Sequence, residues 1–218
     1  KREILNINGK NISIAVWDET ENAKGVVQLS HGMAEHIQRY DDFARFLCGN
    51  GYIVIGDDHR GHGYTDPDKL GVASGDIFED TVADLRYITA YASKTYGLPV
   101  ILMGHSYGSF LTQRYLTYGF DGIKAAILCG SAKQGGLILK VGKSLSRKKC
   151  KNEADEPGAT FAKMTFEKYD NDFGEGKNSW LSLSKENVQK FNADPLCGFT
   201  CSNGFYYSFF TGIDETTV

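Results

Sequence analysis

The sequence predicts an α/β fold with a mostly parallel, doubly wound sheet and an antiparallel hairpin at its N-terminus. In the first part of the chain, apolar runs at 25–29, 52–55, 99–103 and 123–128 alternate with segments of helical periodicity at 37–48, 79–96 and 110–118. Strands that alternate with helices form parallel sheets covered on both faces. In addition, Asn8-Gly9 separates two runs of alternating hydrophobicity, residues 3–7 and 11–17, which is typical of a hairpin.

The pattern changes after Ser131. Residues 135–210 contain no clear buried strand, but they hold amphipathic pieces and an aromatic stretch at 205–210. We therefore predict an α/β core over residues 1–130, followed by a mostly helical insertion over residues 131–212.

Composition and charge exclude some classes of partner. The chain has 218 residues, 41% hydrophobic and 23% charged, with a net charge of -3. This is an ordinary globular mixture, and a nucleic-acid partner, which requires a basic face, is not expected. One basic cluster is interpreted as a solvated helix face, with weak membrane contact beside Leu137-Ile138-Leu139 as the alternative. Its members are Lys140, Lys143, Arg147, Lys148, Lys149 and Lys151.

The five cysteines, at 48, 129, 150, 197 and 201, follow no repeated spacing. Cys197 and Cys201 form a CxxxC without a second pair or a nearby histidine, so no metal site is predicted, and no organic cofactor is implied. We interpret the cysteines as reduced thiols of a cytoplasmic protein. No apolar run reaches the roughly 18 residues of a membrane span, and no signal peptide is visible. Because the chain begins at Lys1, a removed leader stays an open alternative.

The strongest local signal for chemistry is Gly104-His105-Ser106-Tyr107-Gly108, a G-x-S-x-G motif between a predicted strand and a predicted helix. This is the context of a nucleophile elbow, in which a tight turn exposes the serine hydroxyl above the sheet edge. The alternative is a glycine-rich turn with a bystander serine. A phosphate loop does not fit, because the lysine and spacing of G-x-x-x-x-G-K-[ST] are missing. We predict Ser106 as the nucleophile.

A nucleophilic serine needs donors for the oxyanion that it generates. The loop His31-Gly32-Met33 follows an earlier strand, and in a doubly wound sheet it lies beside the elbow. The backbone N–H groups of Met33 and Tyr107 are therefore the predicted oxyanion hole, although His31-Gly32 taken alone favours a simple turn.

Several motifs in register resemble the monoacylglycerol lipase and lysophospholipase family of α/β-hydrolases, from the first hairpin to about residue 210. They are His31-Gly32-Met33-Ala34-Glu35-His36 with Arg39-Tyr40, Asp58-His59-Arg60-Gly61-His62-Gly63, the elbow, and Asp194-Pro195-Leu196-Cys197. The resemblance implies an eight-stranded sheet, a helical cap inserted after the strand near Gly130, and hydrolysis of lipid-like esters. It also assigns Ser106, Met33 and Tyr107 the roles given above. Ser109 departs from the glycine of many relatives, and Met33 is bulkier than the residue often found there.

The general base is missing. All five histidines, at 31, 36, 59, 62 and 105, precede or adjoin Ser106, whereas the triad of this fold runs Ser, then acid, then His. His31 and His59 are interpreted as residues that hold the loops by hydrogen bonds, with His31, His59 or His62 as the base as the alternative. Asp194 and Asp214 are interpreted as surface residues. We expect the closing strands of the core, with the acid and the histidine, to be absent from these 218 residues, which alone should be inactive.

Two classes of function follow. The first is a serine hydrolase that cleaves esters of lipid-like molecules, such as monoacylglycerols or lysophospholipids, through an acyl-enzyme. Peptidase, thioesterase and carbon–carbon hydrolase activities use the same fold and stay open. The second is a non-catalytic binding protein or inactive fragment, which the missing histidine favours.

Overall fold

The computed structural model of the chain describes residues 1–119, 122–133, 135–173 and 176–216. Six strands form one sheet in the order β1-β2-β4-β3-β5-β6. They are β1 (Arg2–Ile7), β2 (Lys10–Trp17), β3 (Gly25–Ser30), β4 (Tyr52–Asp57), β5 (Val100–His105) and β6 (Ile123–Cys129). β1 pairs antiparallel with β2, and β2 with β4, whereas β4, β3, β5 and β6 run parallel. The predicted hairpin and mostly parallel sheet are confirmed.

Within the described ranges, seven α-helices accompany the strands. They are α1 (Asp41–Gly49), α2 (Ile77–Tyr96), α3 (Tyr107–Thr117), α4 (Gly136–Glu153), α5 (Ala159–Phe173), α6 (Lys185–Ala193) and α7 (Asn203–Thr216). The predicted helix at 37–48 divides into a 3-10 turn at Ile37–Tyr40 and α1. α2 begins where the Asp76 side chain accepts a hydrogen bond from Glu79 N, and it ends at Gly97 in the left-handed region, as capped helices do.

Helices cover both faces of the sheet. Val26 packs with the residues of α2 and α3, whereas its neighbour Val27 packs with Ala44 and Cys48 of α1. Successive side chains of a strand point to opposite faces of the sheet. A strand whose consecutive residues are all apolar is therefore buried on both faces. The prediction of a doubly wound sheet rests on these continuous apolar runs and is confirmed.

β6 differs from its prediction as a buried strand. Only Ile123 is buried, and Ile127 and Leu128 are 47% and 43% exposed. The reason is position, because β6 is the edge strand of the sheet and no strand among the described residues pairs with its outer side. The apolar run at 123–128 therefore predicted the strand correctly, but the prediction that this strand is buried was wrong.

The chain after β6 is helical where it is described, as its pattern predicts. α7 packs against α4 and also against α2 and α3 of the sheet domain. The Ser208 hydroxyl donates to Asp76 Oδ1 at 2.6 Å and accepts the Phe78 N–H at 2.9 Å, which fixes α7 at the start of α2. The division into a core over 1–130 and a cap over 131–212 stays a prediction. None of the helices in these described ranges is long and apolar enough to cross a bilayer.

Candidate active site

Ser106 occupies the single-residue junction between β5 and α3. Its φ and ψ of 52° and -116° lie in a region that non-glycine residues rarely adopt, so the surrounding structure must hold the turn in place. The Ser106 N–H donates to Cys129 O of β6 at 2.9 Å, and its carbonyl accepts the Ser109 N–H and the Ser109 hydroxyl at 2.9 and 2.6 Å. Ser109 thus braces the elbow. Ser106 itself is half-buried.

Two glycines make this turn possible. A Cβ on Gly104 would lie 2.6 Å from the Gly108 carbonyl carbon, and a Cβ on Gly108 would lie 2.6 Å from His31 O and closer still to Ser30 O. Any side chain at either position would therefore push the new helix away from β5 or away from the loop after β3. The small residues of the motif bring the elbow against that loop, as required for a shared oxyanion hole.

The loop after β3 is the predicted source of the second oxyanion donor. Ala34 has a φ of 55°, a strained conformation for alanine, and two contacts hold it there. Its N–H donates to His62 Nε2 at 3.1 Å, and its carbonyl accepts the Gly198 N–H at 2.9 Å. The Met33 N–H has no acceptor among the residues that the structure describes. The Tyr107 N–H lies in the first turn of α3, where helix N–H groups have no intrahelical acceptor.

Three buried histidines join the loops beneath the site. The His31 ring stacks on the His59 ring at a centroid distance of 3.9 Å, and His31 Nε2 accepts the His59 N–H at 3.0 Å. His59 lies between Asp57 Oδ2, 2.7 Å from Nδ1, and Ser30 Oγ, 3.1 Å from Nε2. This Ser–His–Asp chain is fully buried, so it supports the loops rather than meeting a substrate.

The burial of these histidines also argues against any of them as the general base for Ser106. Desolvation, followed by the neighbouring histidines, lowers the pKa of His31 well below its usual value. Desolvation also lowers the pKa of His62 to about 4. A base with so low a pKa accepts a proton poorly at neutral pH. No histidine among the described residues contacts the Ser106 hydroxyl within hydrogen-bond distance.

Glu35 connects the oxyanion loop to the elbow. Its carboxylate accepts the Gly32 N–H at 2.6 Å and the Tyr40 hydroxyl at 2.8 Å, and it pairs with Arg39. His105, beside Ser106 in sequence, lies 3.1 Å from the Tyr40 hydroxyl and 3.5 Å from Glu35. Burial alone would raise the pKa of Glu35, but His105, Arg39 and Tyr40 together lower it to about 2.

The loop after β4 is anchored by two charged residues. Asp58 is buried and accepts the Ile37 and Tyr64 N–H groups, each at 2.9 Å, and Arg2 of β1 at 2.8 Å. Arg60 makes a two-pronged ion pair with Asp84 of α2, at 2.6 and 3.0 Å. These contacts hold the second motif of the sequence against its neighbours.

The two later aspartates contact residues other than Ser106. Asp194, which the sequence places at the surface, is half-buried, and its Oδ2 lies 2.8 Å from His36 Nε2. It therefore links the segment after α6 to the oxyanion loop. Asp214 pairs with Lys143 of α4 at 2.8 Å, which is a contact between helices and agrees with a polar surface role.

Comparison with known families decides the identity of the fold. The family described as "Serine aminopeptidase, S33" matches residues 21–217, which is almost the whole chain. The chain belongs to this family of α/β-hydrolases. The motifs that carried the resemblance therefore lie on a family scaffold, and this α/β-hydrolase resembles the monoacylglycerol lipases in particular.

Among curated relatives, the "Monoglyceride lipase" of Homo sapiens is 29% identical over 202 residues, covering 88% of this chain and 59% of the relative. The "Monoacylglycerol lipase" of Mycolicibacterium smegmatis is 32% identical over 127 residues, covering 58% of this chain and 44% of the relative. The α/β-hydrolase chain thus spans about three fifths of the human relative's length.

Solved structures share the fold. A thermostable carboxyl esterase from Bacillus coagulans in complex with glycerol superposes with a TM-score of 0.86 at 23% identity, covering 98% of this chain and 72% of that chain. A soluble variant of monoglyceride lipase from Saccharomyces cerevisiae gives 0.72 at 19% identity, with 96% and 67% covered. At these identities the similarity concerns the fold.

Sequence reasoning missed several supporting residues. A supporting role for His59 was predicted, but its partners Ser30 and Asp57 and the Glu35 network were not, although each lies within or beside a motif that was singled out. The sequence did contain one indication of these contacts, which is the high density of polar residues directly after two buried strands. Polar side chains that become buried need hydrogen-bond partners.

Proposed function

We propose that this chain is the nucleophile-bearing region of a carboxylic ester hydrolase that acts through an acyl-enzyme on Ser106. The observation that carries the proposal is the strained elbow, held against a loop whose Met33 N–H lacks an acceptor in the described structure. A strained turn of this kind costs free energy of folding, and such turns occur mostly at functional sites. The comparisons support hydrolysis of esters.

In the proposed mechanism, Ser106 Oγ attacks the ester carbonyl carbon, and the alcohol leaves as the acyl-enzyme forms. The N–H groups of Met33 and Tyr107 donate to the developing oxyanion, and one such donor lowers the barrier by about 3 kcal/mol. Water then releases the acid and regenerates the serine. The proton transfer requires a general base, and no histidine among the described residues contacts the Ser106 hydroxyl.

We infer lipid-like substrates, with monoacylglycerols and lysophospholipids as the candidates. The relatives named as monoglyceride lipases support this choice, and the apolar helices after β6 are expected to form an acyl-binding cap. The free thiols of all five cysteines agree with the proposed cytoplasmic location.

The first test is labelling of the full-length protein with a fluorophosphonate, which reacts with activated serines. We expect one label at Ser106, loss of labelling in Ser106→Ala, and unchanged labelling in Ser144→Ala, which alters an exposed serine on α4. An inert Ser106 in the folded full-length protein would instead support the second candidate, a non-catalytic binding protein, which the missing histidine favours.

The second test concerns turnover. Loss of the general base costs on the order of 10^6 in turnover in a serine hydrolase where it was measured, so residues 1–218 alone should hydrolyse monoacylglycerols at essentially background rate. Ser106-dependent turnover by this purified region would contradict the expectation that the base lies elsewhere.

We also propose weak contact between α4 and an anionic membrane surface. Leu137 and Ile138 are 77% and 80% exposed, and the same helix carries the basic cluster. Co-sedimentation with vesicles containing anionic lipid at low salt should fall in Leu137→Ser/Ile138→Ser. Leu183→Ser is the matched control, because Leu183 is fully exposed but lies outside α4. Equal loss in both variants would contradict a specific role for α4.

A further inference from the structure

Three residues with metal-binding side chains meet where the oxyanion loop contacts the segment between α6 and α7. They are His36, which directly follows Glu35, and Asp194 and Cys197 of the D-P-L-C segment. One ligand atom from each residue lies within 4.8 Å of the other two. The sequence predicts no metal site because no histidine lies near Cys197 along the chain. His36 and Asp194 are 158 positions apart, and only the fold brings them together.

The two segments are held in place before any ligand binds. Within the D-P-L-C segment, Cys197 N donates to Asp194 O at 3.0 Å, and Leu196 N donates to Asp194 Oδ1 at 2.9 Å. This turn keeps the carboxylate and the thiol on one side. The Gly198 N–H then joins the turn to Ala34 O at 2.9 Å, close to His36. Donors that are already positioned lose little freedom on binding an ion.

The donor set is one imidazole nitrogen, one carboxylate oxygen and one thiolate sulfur, which suits Zn²⁺ better than the oxygen-seeking Mg²⁺ or Ca²⁺. We propose that His36, Asp194 and Cys197 bind one Zn²⁺ ion, with water as the fourth ligand. Metal–ligand bonds of about 2.0–2.3 Å fit a cluster of this size after small side-chain movements. The ion would replace the contact between His36 Nε2 and Asp194 Oδ2.

Binding of the ion changes the protonation of two ligands. The Cys197 thiol releases its proton to solvent as it binds as a thiolate, and a neutral His36 ring whose Nε2 binds the ion carries its proton on Nδ1. The charged groups around the thiol are Asp194, Arg39, Glu35 and Asp58, and Arg39 is already paired with Glu35.

His36 is 6% exposed, so its ring is held within the fold before any ion binds. The bound ion would cross-link the oxyanion loop to the D-P-L-C segment.

The test is binding of Zn²⁺ and Co²⁺ to the purified full-length protein, read by metal analysis after dialysis and by visible absorption. We expect one Zn²⁺ per chain, and a Co²⁺ spectrum with the strong bands of a tetrahedral site and a thiolate charge-transfer band. Removal of groups that only support a metal ligand costs about 10–100-fold in affinity, so Cys197→Ser should cost at least as much. Cys150→Ser, which alters a half-buried thiol on α4, should bind as the parent does.

Cys197→His keeps three ligands, so it should restore tetrahedral Co²⁺ binding without the thiolate band. Proton release on Zn²⁺ binding should also disappear in Cys197→Ser. Less than stoichiometric Zn²⁺ in the parent, or equal affinity in the parent and Cys197→Ser, would overturn the proposal. These readouts do not use ester hydrolysis, so they are independent of the proposed function.

Discussion

Replacement of Arg60 by methionine should destabilise the protein strongly, because it leaves a buried carboxylate without its partner. Asp84 has 1% of its side chain exposed, and Arg60 meets it with two hydrogen bonds at 2.6 and 3.0 Å. Breaking a buried pair by removing one partner typically costs about 3–5 kcal/mol. Since domains are stable by about 5–15 kcal/mol, this is a large fraction of the total.

The pH dependence of Arg60→Met has a definite sign. Burial already raises the pKa of Asp84 above 3.8 despite the attraction of Arg60, and loss of Arg60 should raise it further. A carboxyl group whose pKa is raised on folding favours the folded state at low pH, and this contribution is lost as the pH rises through the folded-state pKa. The stability deficit of Arg60→Met relative to the parent should therefore shrink as the pH falls.

Urea unfolding at several pH values measures the effect. Arg45→Met is the matched control, because Arg45 is 59% exposed and loss of its solvent-exposed ion pair with Asp41 should change the stability little. Adding Asp84→Leu to Arg60→Met should recover much of the loss, since no buried charge is then left alone. Equal losses in Arg60→Met and Arg45→Met, or no recovery in the double variant, would refute the reasoning.

Two further predictions concern the loops around the nucleophile. Gly108→Ala should reduce fluorophosphonate labelling of Ser106 at least about tenfold, because its Cβ would meet the His31 carbonyl at 2.6 Å, whereas Gly49→Ala has open space and should label normally. Retained labelling in a folded Gly108→Ala protein would contradict the steric argument. Glu35, whose pKa is lowered to about 2, contributes stability above its usual pKa of 4.5 that is lost as the pH falls towards 2. Glu35→Gln should therefore flatten the acid side of the stability profile measured by urea unfolding, and an unchanged slope between about pH 5 and 2 would show that this carboxylate is not responsible.

Local patterns were sufficient to predict the sheet and the elbow. The Asn8-Gly9 turn, the alternation of strands with helices and the spacing of Gly104, Ser106 and Gly108 each depend on neighbouring residues, so they are visible in sequence. The burial of β6 was predicted wrongly, because burial depends on which strand lies alongside and an apolar run does not contain that information.

Contacts between distant segments could not be predicted in the same way. The pair of His36 and Asp194 joins residues 158 positions apart, and the Arg60–Asp84 pair joins a loop to a helix 24 positions later. The sequence shows each of these polar residues, but the partner of each depends on how the helices pack on the sheet. The sequence therefore identified most of the motifs at the site and few of the contacts that hold them.

The contact between Arg2 and Asp58 ties the first strand of the protein to the loops of the site. β1 lies four strands away from β5 in the sheet, which is about 19 Å at the usual spacing of neighbouring strands. Arg2 spans part of that distance by reaching both Ser13 of β2 and Asp58, which in turn receives the N–H groups of Ile37 and Tyr64. A substitution that displaces β1 would therefore act on the loops after β3 and β4, and changes in the hairpin become a variable in any assay of activity.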